Sequence, residues 1–276
     1  MQTSDVFGAD AVIFDLEDSI HVSEKESART LVHDYLLTHP ALPRIVIVRV
    51  NAADTDFYQR DLSLLSTNAV DAVMLPKATE KTTRTLSAEL ALRRRQANLT
   101  RTVVIYPIIE LAGSFLEAEK IAACPDVAGI LLGGEDFCSD MEIKRTTLGA
   151  ELTYPRAHLA IVCRAHGIEA IDTPFSDVND DLGLRRDALM ASSLGMTAKA
   201  AIHPRQIAII QDVFSPSADQ IAWAKRVILG AKNAASEGLG VFSLDGKMVD
   251  QPIIHRAKTI LEKAAQFGLE VPYGEE

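Results

Sequence analysis

The sequence predicts an α/β fold in which helices cover a parallel sheet, either open or closed into a barrel. Short runs of β-branched residues, such as AVIFDLED at 11–18 and IVIVRVN at 45–51, alternate with longer amphipathic segments. The runs recur at roughly 25 to 35 residues, which is typical of repeated strand–helix–strand units. Because several runs are apolar over most of their length, they are interpreted as strands buried on both faces.

These patterns place the elements along the chain. They predict seven strands, at 11–18, 45–51, 72–76, 103–110, 129–134, 169–173 and 198–202. Outside the helix between the fourth and fifth strands, they predict helices at 23–37, 57–66, 79–99, 154–166, 181–194, 206–214, 219–237 and 252–267. The segment 140–150 has weak periodicity and is interpreted as a loop. Residues 240–252 are interpreted as a hairpin, because Asp245–Gly246 is a favoured hairpin turn.

Composition is that of an ordinary globular protein. The 276 residues are 47% hydrophobic and 24% charged, which suits one barrel-sized domain or two small ones. The net charge of −10 and the lack of a basic stripe argue against nucleic-acid binding, so an anionic substrate would need local cations or a metal. Neither a signal-peptide pattern nor an apolar run near the ~20 residues of a membrane span is visible, which predicts a cytoplasmic protein without a membrane partner.

Two acids that follow neighbouring strands are the first candidates for a functional site. Glu110 ends the run TVVIYPIIE, and Asp136 follows VAGILLGGE. Active sites of parallel sheets and barrels lie at the carboxyl ends of the strands, and two carboxylates there suit Mg²⁺ with water and substrate completing its shell. The alternative is that both acids cap the helices that follow the strands. The pattern alone leaves the two interpretations open.

Arg49 is the second candidate, because it lies near the end of a strand rich in β-branched residues, where an unpaired charge is costly. It could pair with an acid at the end of a strand as a purely structural contact. It could also clamp a substrate carboxylate, for which guanidinium is the best-matched group.

The commonest alternative motifs are absent from the sequence. No GxGxxG or GxxxxGK[ST] loop follows a predicted strand, and no GxSxG nucleophile motif is found. Cys124, Cys138 and Cys163 show no CxxC or CxxH spacing, so they are interpreted as buried reduced thiols.

A series of short motifs in a fixed order gives the chain a family resemblance. It resembles the citrate lyase β-subunit family of the HpcH/HpaI aldolase and citrate lyase superfamily, from about Ala9 to Phe267. The motifs are FDLEDS, KESAR, VRVN, LPKA, IIE, GGEDF, AIDTPF, AIHPRQI and GKMVDQP. One such motif would be weak evidence, but the whole ordered series is a strong signal.

The resemblance implies a TIM-barrel-like (β/α)₈ fold, dependence on Mg²⁺ and a carbon–carbon bond broken or formed beside a thioester. It implies that Glu110 and Asp136 are the metal ligands, that Glu110 also lies against the substrate and that Arg49 binds a substrate carboxylate. Asp250, in MVDQP, matches an aspartate that reaches a neighbouring subunit's active site in related malyl-CoA and citramalyl-CoA lyases. Its alternative role is to cap the helix that begins near Pro252.

Two departures from the family pattern lead to further expectations. The family's first strand is expected to be absent, since the chain begins MQTSDVFGADAVIFDLED. The segment 240–244 is the one spare strand that could close the barrel. Ala198 replaces the glycine that the family usually has before Lys199. We assign 1–237 to the barrel domain and 238–276 to a hairpin-and-helix extension that packs at a subunit interface, as in the homotrimer that the resemblance implies.

The function expected from these residues is a Mg²⁺-dependent carbon–carbon lyase of the citryl-CoA type, acting on a CoA or acyl-carrier thioester. Its proposed catalytic residues are Asp250 and Arg49. One alternative is a metal-dependent 2-oxo acid (pyruvate) aldolase of the same superfamily. Another is a non-catalytic subunit that binds a thioester.

Overall fold

The structure is a computed structural model that describes residues 7–39, 44–66, 68–98 and 100–269. The chain divides into two compact units, Met1–Ile207 and Ala208–Glu276. The first unit holds a parallel sheet with its helices. The second holds a hairpin and two long helices.

The sheet of the first unit contains seven strands in chain order, each parallel to the next. They are β1 (Ala11–Asp15), β2 (Ile45–Arg49), β3 (Ala72–Leu75), β4 (Val104–Ile109), β5 (Gly129–Leu132), β6 (Glu169–Asp172) and β7 (Ala198–Lys199). This arrangement confirms the predicted α/β, TIM-barrel-like fold class. All seven observed strands end earlier than predicted, because the last residues of each predicted run lie in the loops that follow the strands or, for Gly134, in the first turn of the helix Gly134–Asp140.

The sheet has two edges over the described residues, as expected for a barrel without its first strand. Over the described residues, β1 and β7 are the end strands of the sheet. The suggestion that 240–244 closes the barrel is wrong. Instead, β8 (Phe242–Leu244) pairs antiparallel with β9 (Lys247–Val249) in a separate hairpin that turns at Asp245–Gly246, both with positive φ, as the sequence predicted.

Helices connect successive strands, and three more helices follow the last strand of the sheet in the chain. In the first unit they are α1 (Lys25–Thr38), α2 (Tyr58–Asp61), α3 (Glu80–Gln96), α4 (Ala112–Leu116), α5 (Ala118–Ala122), α6 (Gly134–Asp140), α7 (Thr153–His166) and α8 (Asp181–Ser193). Then come α9 (Pro204–Phe214), α10 (Ala218–Ser236) and α11 (Gln251–Gln266). The start of α3 is fixed by a capping box in which Thr79 and Thr82 satisfy each other's backbone N–H groups.

The sheet is apolar on both faces, as the unbroken runs predicted. Val46 and Val48 of β2 pack in the larger cluster, which also contains helix residues such as Leu86. Ile47, from the opposite face of the same strand, packs with Met74 and other strand residues in a second cluster. Covering both faces fixes the strands, and thereby the positions of the loops at their carboxyl ends.

The second unit has a core of its own. Ala224 and Val227 of α10 pack with Val249 of β9 and Ala257 of α11. Because α10 packs on α11, the compact units divide before α10, earlier than the predicted domain boundary between residues 237 and 238. Compactness does not show which segments fold independently, so the domain assignment stays a prediction.

Across the described residues, no helix combines the length and apolar character needed to span a bilayer.

Cys124, Cys138 and Cys163 are buried and free. Burial raises the pKa of Cys163 to about 12, so this thiol is a structural group rather than a nucleophile.

Candidate active site

Polar side chains gather where the strands of the sheet end. Asp15 and Arg49 are register partners at the ends of β1 and β2. Glu110 directly follows β4, and Asp136 lies in the first turn of α6, just after β5. Parallel strands place all these ends at one edge of the sheet, which is the edge where active sites of such sheets form.

Arg49 is oriented by two acids from the loop after β1. Its Nε and Nη2 atoms donate to the two carboxylate oxygens of Asp15, both at 2.6 Å, and Nη1 lies 3.1 Å from Glu17 Oε2. Burial alone would raise the pKa of Asp15, but the hydrogen bonds and charge of Arg49 outweigh it and the pKa is lowered. The structural pairing considered from the sequence is therefore present.

The contacts with Asp15 and Glu17 leave some N–H donors of the Arg49 guanidinium group available. This group has five N–H donors, and the contacts with Asp15 and Glu17 engage at most three of them. The Arg49 side chain is 25% exposed, so its remaining donors have access to solvent or ligand. Both interpretations of Arg49 can hold together, with the acids orienting a guanidinium that still has donors to offer. Its binding role stays a prediction.

Glu110 is held deep in the site by its neighbours. The side chain is buried, and Oε1 accepts a hydrogen bond of 2.7 Å from the backbone N–H of Lys77. A Cβ atom on Gly133 would lie 2.3 Å from Glu110 Oε2 and 2.5 Å from its Cβ. The absence of a side chain on Gly133 therefore makes room for this carboxylate.

The pKa of Glu110 is raised by its surroundings. Burial raises it most, and the negative charges of Asp136 and Glu17 and a hydrogen bond with the Asp136 carboxyl raise it further, to about 8. Within the described residues, neither Glu110 nor Asp136 forms an ion pair with a cation. Two carboxyl groups this close share a proton unless a cation lies between them.

This pair fits a hard divalent cation. Carboxylate oxygens are the ligands that Mg²⁺ prefers, and Mg²⁺ usually keeps waters or substrate oxygens on its remaining positions. Over the described part of the chain, no group of three or more His, Cys, Asp or Glu side chains is arranged to hold a metal. In the predicted arrangement Glu110 and Asp136 are two of the ligands, and water or substrate completes the shell. The structure brings the predicted ligands Glu110 and Asp136 together, while their role stays a prediction.

Lys77 belongs to the same site, although no role was predicted for it. Its backbone is left-handed, with φ of 49°, and its Nζ atom lies 3.7 Å from Glu17 Oε1. Burial lowers the pKa of Lys77, but the surrounding acids, Glu17 foremost, outweigh burial and raise it. The signals available in the sequence were its position after Pro76 at a strand end and its place in the LPKA motif. We call Asp15, Glu17, Arg49 and Lys77 the open cluster.

A second group of four charged residues was missed by the sequence patterns. Arg156 on α7 bonds to Asp172 and Asp187, and Lys199 on β7 donates to the same two acids at 2.6 Å each. All four side chains are at most 2% exposed. We call them the buried cluster. Lys199 also donates to the carbonyl of Thr173, whose Oγ1 accepts from the N–H of Gly134 at 3.1 Å, which ties this cluster to the start of α6.

Asp250 lies in the second unit, at the start of α11. Its carboxylate accepts a hydrogen bond of 3.4 Å from the N–H of Ile253, and Pro252 occupies the first turn. The capping role considered from the sequence is therefore present. Its catalytic role stays a prediction.

Comparison with known proteins identifies relatives of this chain. The family model described as HpcH/HpaI aldolase/citrate lyase matches residues 1–204. The citrate lyase subunit beta of Haemophilus influenzae is 37% identical over 96% of this chain and 92% of its own. The L-malyl-CoA/beta-methylmalyl-CoA lyase of Cereibacter sphaeroides is 31% identical over 93% and 87% of the two chains.

A solved structure extends the likeness to three dimensions. The crystal structure of protein CitE from Mycobacterium tuberculosis, in complex with magnesium, acetoacetate and coenzyme A, covers 96% of this chain and 93% of its own. It superposes with a TM-score of 0.77 at 29% identity. The chain belongs to the HpcH/HpaI aldolase/citrate lyase family of carbon–carbon lyases.

Proposed function

We propose that the chain is a Mg²⁺-dependent lyase that cleaves a 3-hydroxy-acyl thioester of the citryl-CoA type to acetyl-CoA and oxaloacetate, or a malyl-CoA or citramalyl-CoA relative. The observation that carries the proposal is the uncompensated pair of Glu110 and Asp136 beside the oriented guanidinium of Arg49. The relatives' names, which include a citrate lyase subunit and a malyl-CoA lyase, support the thioester class.

The proposed roles follow from the chemistry of each group. Glu110 and Asp136 would hold Mg²⁺, which when bound supplies Lewis-acid stabilisation to the oxygen on the carbon that is being cleaved. Arg49, fixed by Asp15, would bind a substrate carboxylate and align the bond to be broken. Glu110 also lies against the substrate in this proposal, as the family resemblance implies.

The reaction requires one proton to leave and one to arrive. The hydroxyl group of the substrate loses its proton, and the bond to the α carbon of the thioester breaks. The oxygen-bearing fragment becomes an oxo acid, and the thioester fragment leaves as an enolate that takes up a proton. We assign the protonation of the enolate to Asp250. This residue would come from a neighbouring subunit of a homotrimer, which is the arrangement that the resemblance implies.

Two experiments test this proposal. The first is a lyase assay with citryl-CoA, malyl-CoA and citramalyl-CoA, with Mg²⁺ and with a chelator in its place. We expect cleavage of at least one thioester that stops with the chelator. Thioester binding without turnover would identify a non-catalytic subunit, and turnover only of free 2-oxo acids with an aldehyde would identify an aldolase.

The second experiment tests the assignment of Asp250 to a neighbouring subunit. Inactive Asp250→Ala and Asp136→Ala chains are mixed and reassembled. We expect activity to return, because a mixed oligomer contains sites in which both residues are intact. Mixed oligomers without activity would contradict the assignment.

A further inference from the structure

Two cations of the open cluster flank one carboxylate. Arg49 Nη1 lies 3.1 Å from Glu17 Oε2, and Lys77 Nζ lies 3.7 Å from Glu17 Oε1. The Lys77 contact is longer than a hydrogen bond, and its side chain is 42% exposed. Its ammonium group is therefore held near the site by charge while its own N–H donors point to no acceptor within bonding distance among the described residues.

Acids outnumber cations at this edge of the sheet. The Asp15 carboxylate accepts two hydrogen bonds from Arg49. The pKa of Lys77 is raised by the negative charges of four other acids, which are Glu17, Asp18, Asp136 and Glu110. A protein with a net charge of −10 that binds an anionic substrate depends on each local cation. Once Arg49 binds one substrate carboxylate, Lys77 is the neighbouring cation that can meet another.

The backbone of Lys77 also serves the site. Its left-handed conformation, with φ of 49°, accompanies the hydrogen bond of its N–H to Glu110. A non-glycine residue in this region is uncommon and carries a conformational cost. The position therefore combines a backbone that glycine would adopt more easily with a charged side chain that glycine lacks.

We propose that Lys77 is a substrate-binding residue whose ammonium group contacts the second carboxylate of a dicarboxylic 2-oxo acid fragment. This inference rests on the proposed function and names its substrate class. Arg49 and Lys77 together would select an oxaloacetate fragment, with two carboxylates, over a pyruvate or glyoxylate fragment, with one. The citryl-CoA type of thioester is then the preferred substrate.

The alternative is that Lys77 only compensates the charge of Glu17. In that case its loss would affect the position of Arg49 and weaken every 2-oxo acid alike. The two roles differ in selectivity, so binding of oxaloacetate and of pyruvate must be measured side by side.

The test uses Lys77→Gly, which removes the ammonium group and keeps the left-handed backbone that bonds to Glu110. Dissociation constants of Mg²⁺, and of fresh oxaloacetate and pyruvate at saturating Mg²⁺, are measured by calorimetry on the full chain. We expect oxaloacetate to bind at least about tenfold more weakly, as for a lost charge-assisted contact, with pyruvate within about twofold of the wild type. Lys77→Arg should keep most of the affinity for oxaloacetate.

Lys81→Met is the matched control, because Lys81 is an exposed lysine of α3 and its loss changes the net charge equally. It should leave all three constants unchanged. An unchanged constant for oxaloacetate in Lys77→Gly, or equal weakening of both acids, would overturn the assignment of Lys77 alone. A wild-type protein that binds neither acid in the presence of Mg²⁺ would overturn the proposed function together with it.

Discussion

The open cluster and the buried cluster contain the same kinds of group in different surroundings. Each has two carboxylates, one arginine and one lysine. In the buried cluster Lys199 makes three hydrogen bonds of 2.6 Å, while in the open cluster Lys77 lies 3.7 Å from its partner and is 42% exposed. The two clusters therefore have the same charge content and differ in the exposure of their side chains and in the number of hydrogen-bond donors left unused. We propose a substrate-binding role for the open cluster and a structural role for the buried one.

The buried cluster should dominate stability. Removing one member of a buried ionic group leaves an uncompensated charge, so we expect Lys199→Met to lower the free energy of unfolding by about 3–5 kcal/mol. Urea denaturation measures this loss. The same substitution in the open cluster, Lys77→Met, should cost less than about 1 kcal/mol, because a solvated ion pair contributes little. Equal losses in the two variants would remove the distinction between the clusters.

The open cluster should instead dominate catalysis. Arg49→Lys keeps the charge but loses the planar fork that bonds to Asp15 and faces Glu17. We expect a loss of about 2–4 kcal/mol in kcat/KM, in line with a lost charge-assisted pair, and little change in the free energy of unfolding. Arg60→Lys, at an exposed arginine, is the control. A lysine that works nearly as well would show that Arg49 only holds the protein's own acids.

The space beside Glu110 can be tested with one methyl group. Gly133→Ala would bring a Cβ to 2.3 Å from Glu110 Oε2, and Gly133 has an ordinary negative φ of −89°, so its effect should be steric. We expect Mg²⁺ to bind at least about tenfold more weakly, which is about 1.4 kcal/mol. Gly113→Ala is the matched control, because a Cβ there meets no atom within 4 Å. Equal Mg²⁺ affinity in both variants would contradict the placement of Glu110.

The smallest of the expected effects is a pH dependence of Mg²⁺ binding, which follows from the raised pKa of Glu110. Without metal this carboxyl holds its proton up to a pH of about 8, whereas a carboxylate bound to a cation is ionised. Mg²⁺ binding should therefore release close to one proton near neutral pH, and the affinity should rise with pH until about 8 and then level off. Calorimetry in two buffers of different ionisation enthalpy counts the proton. Release that persists unchanged in Glu110→Gln would assign it to another group.

The sequence predicted the parts of the site that follow strands directly. Glu110 and Arg49 could be found because buried strands are recognisable as unbroken apolar runs, and parallel strands bring their ends together. The same reasoning placed Asp136 beside Glu110. It overestimated strand length, since the residues after the last paired position, such as Asn51 and Thr173, take part in side-chain contacts instead.

Other features depend on packing that no local pattern records. Arg156 and Asp187 lie within helices α7 and α8, where charged residues normally face solvent, and only the tertiary fold turns them onto Asp172 and Lys199. The left-handed backbone of Lys77, whose N–H donates to Glu110, is likewise not recorded in the local sequence. Segment 240–244 was assigned as a spare strand for the barrel because periodicity cannot tell which strand it will pair with.

Mg²⁺ binding to the wild-type chain and to Asp136→Ala tests the central claim most directly. Calorimetry measures the binding, and the thermal midpoint without metal measures the fold. We expect one Mg²⁺ per wild-type chain and none for Asp136→Ala. The variant's midpoint should be equal or higher, because a carboxylate that raises the pKa of Glu110 has been removed. An Asp136→Ala protein that binds Mg²⁺ as the wild type does, or that is fully active without added metal, would contradict the account.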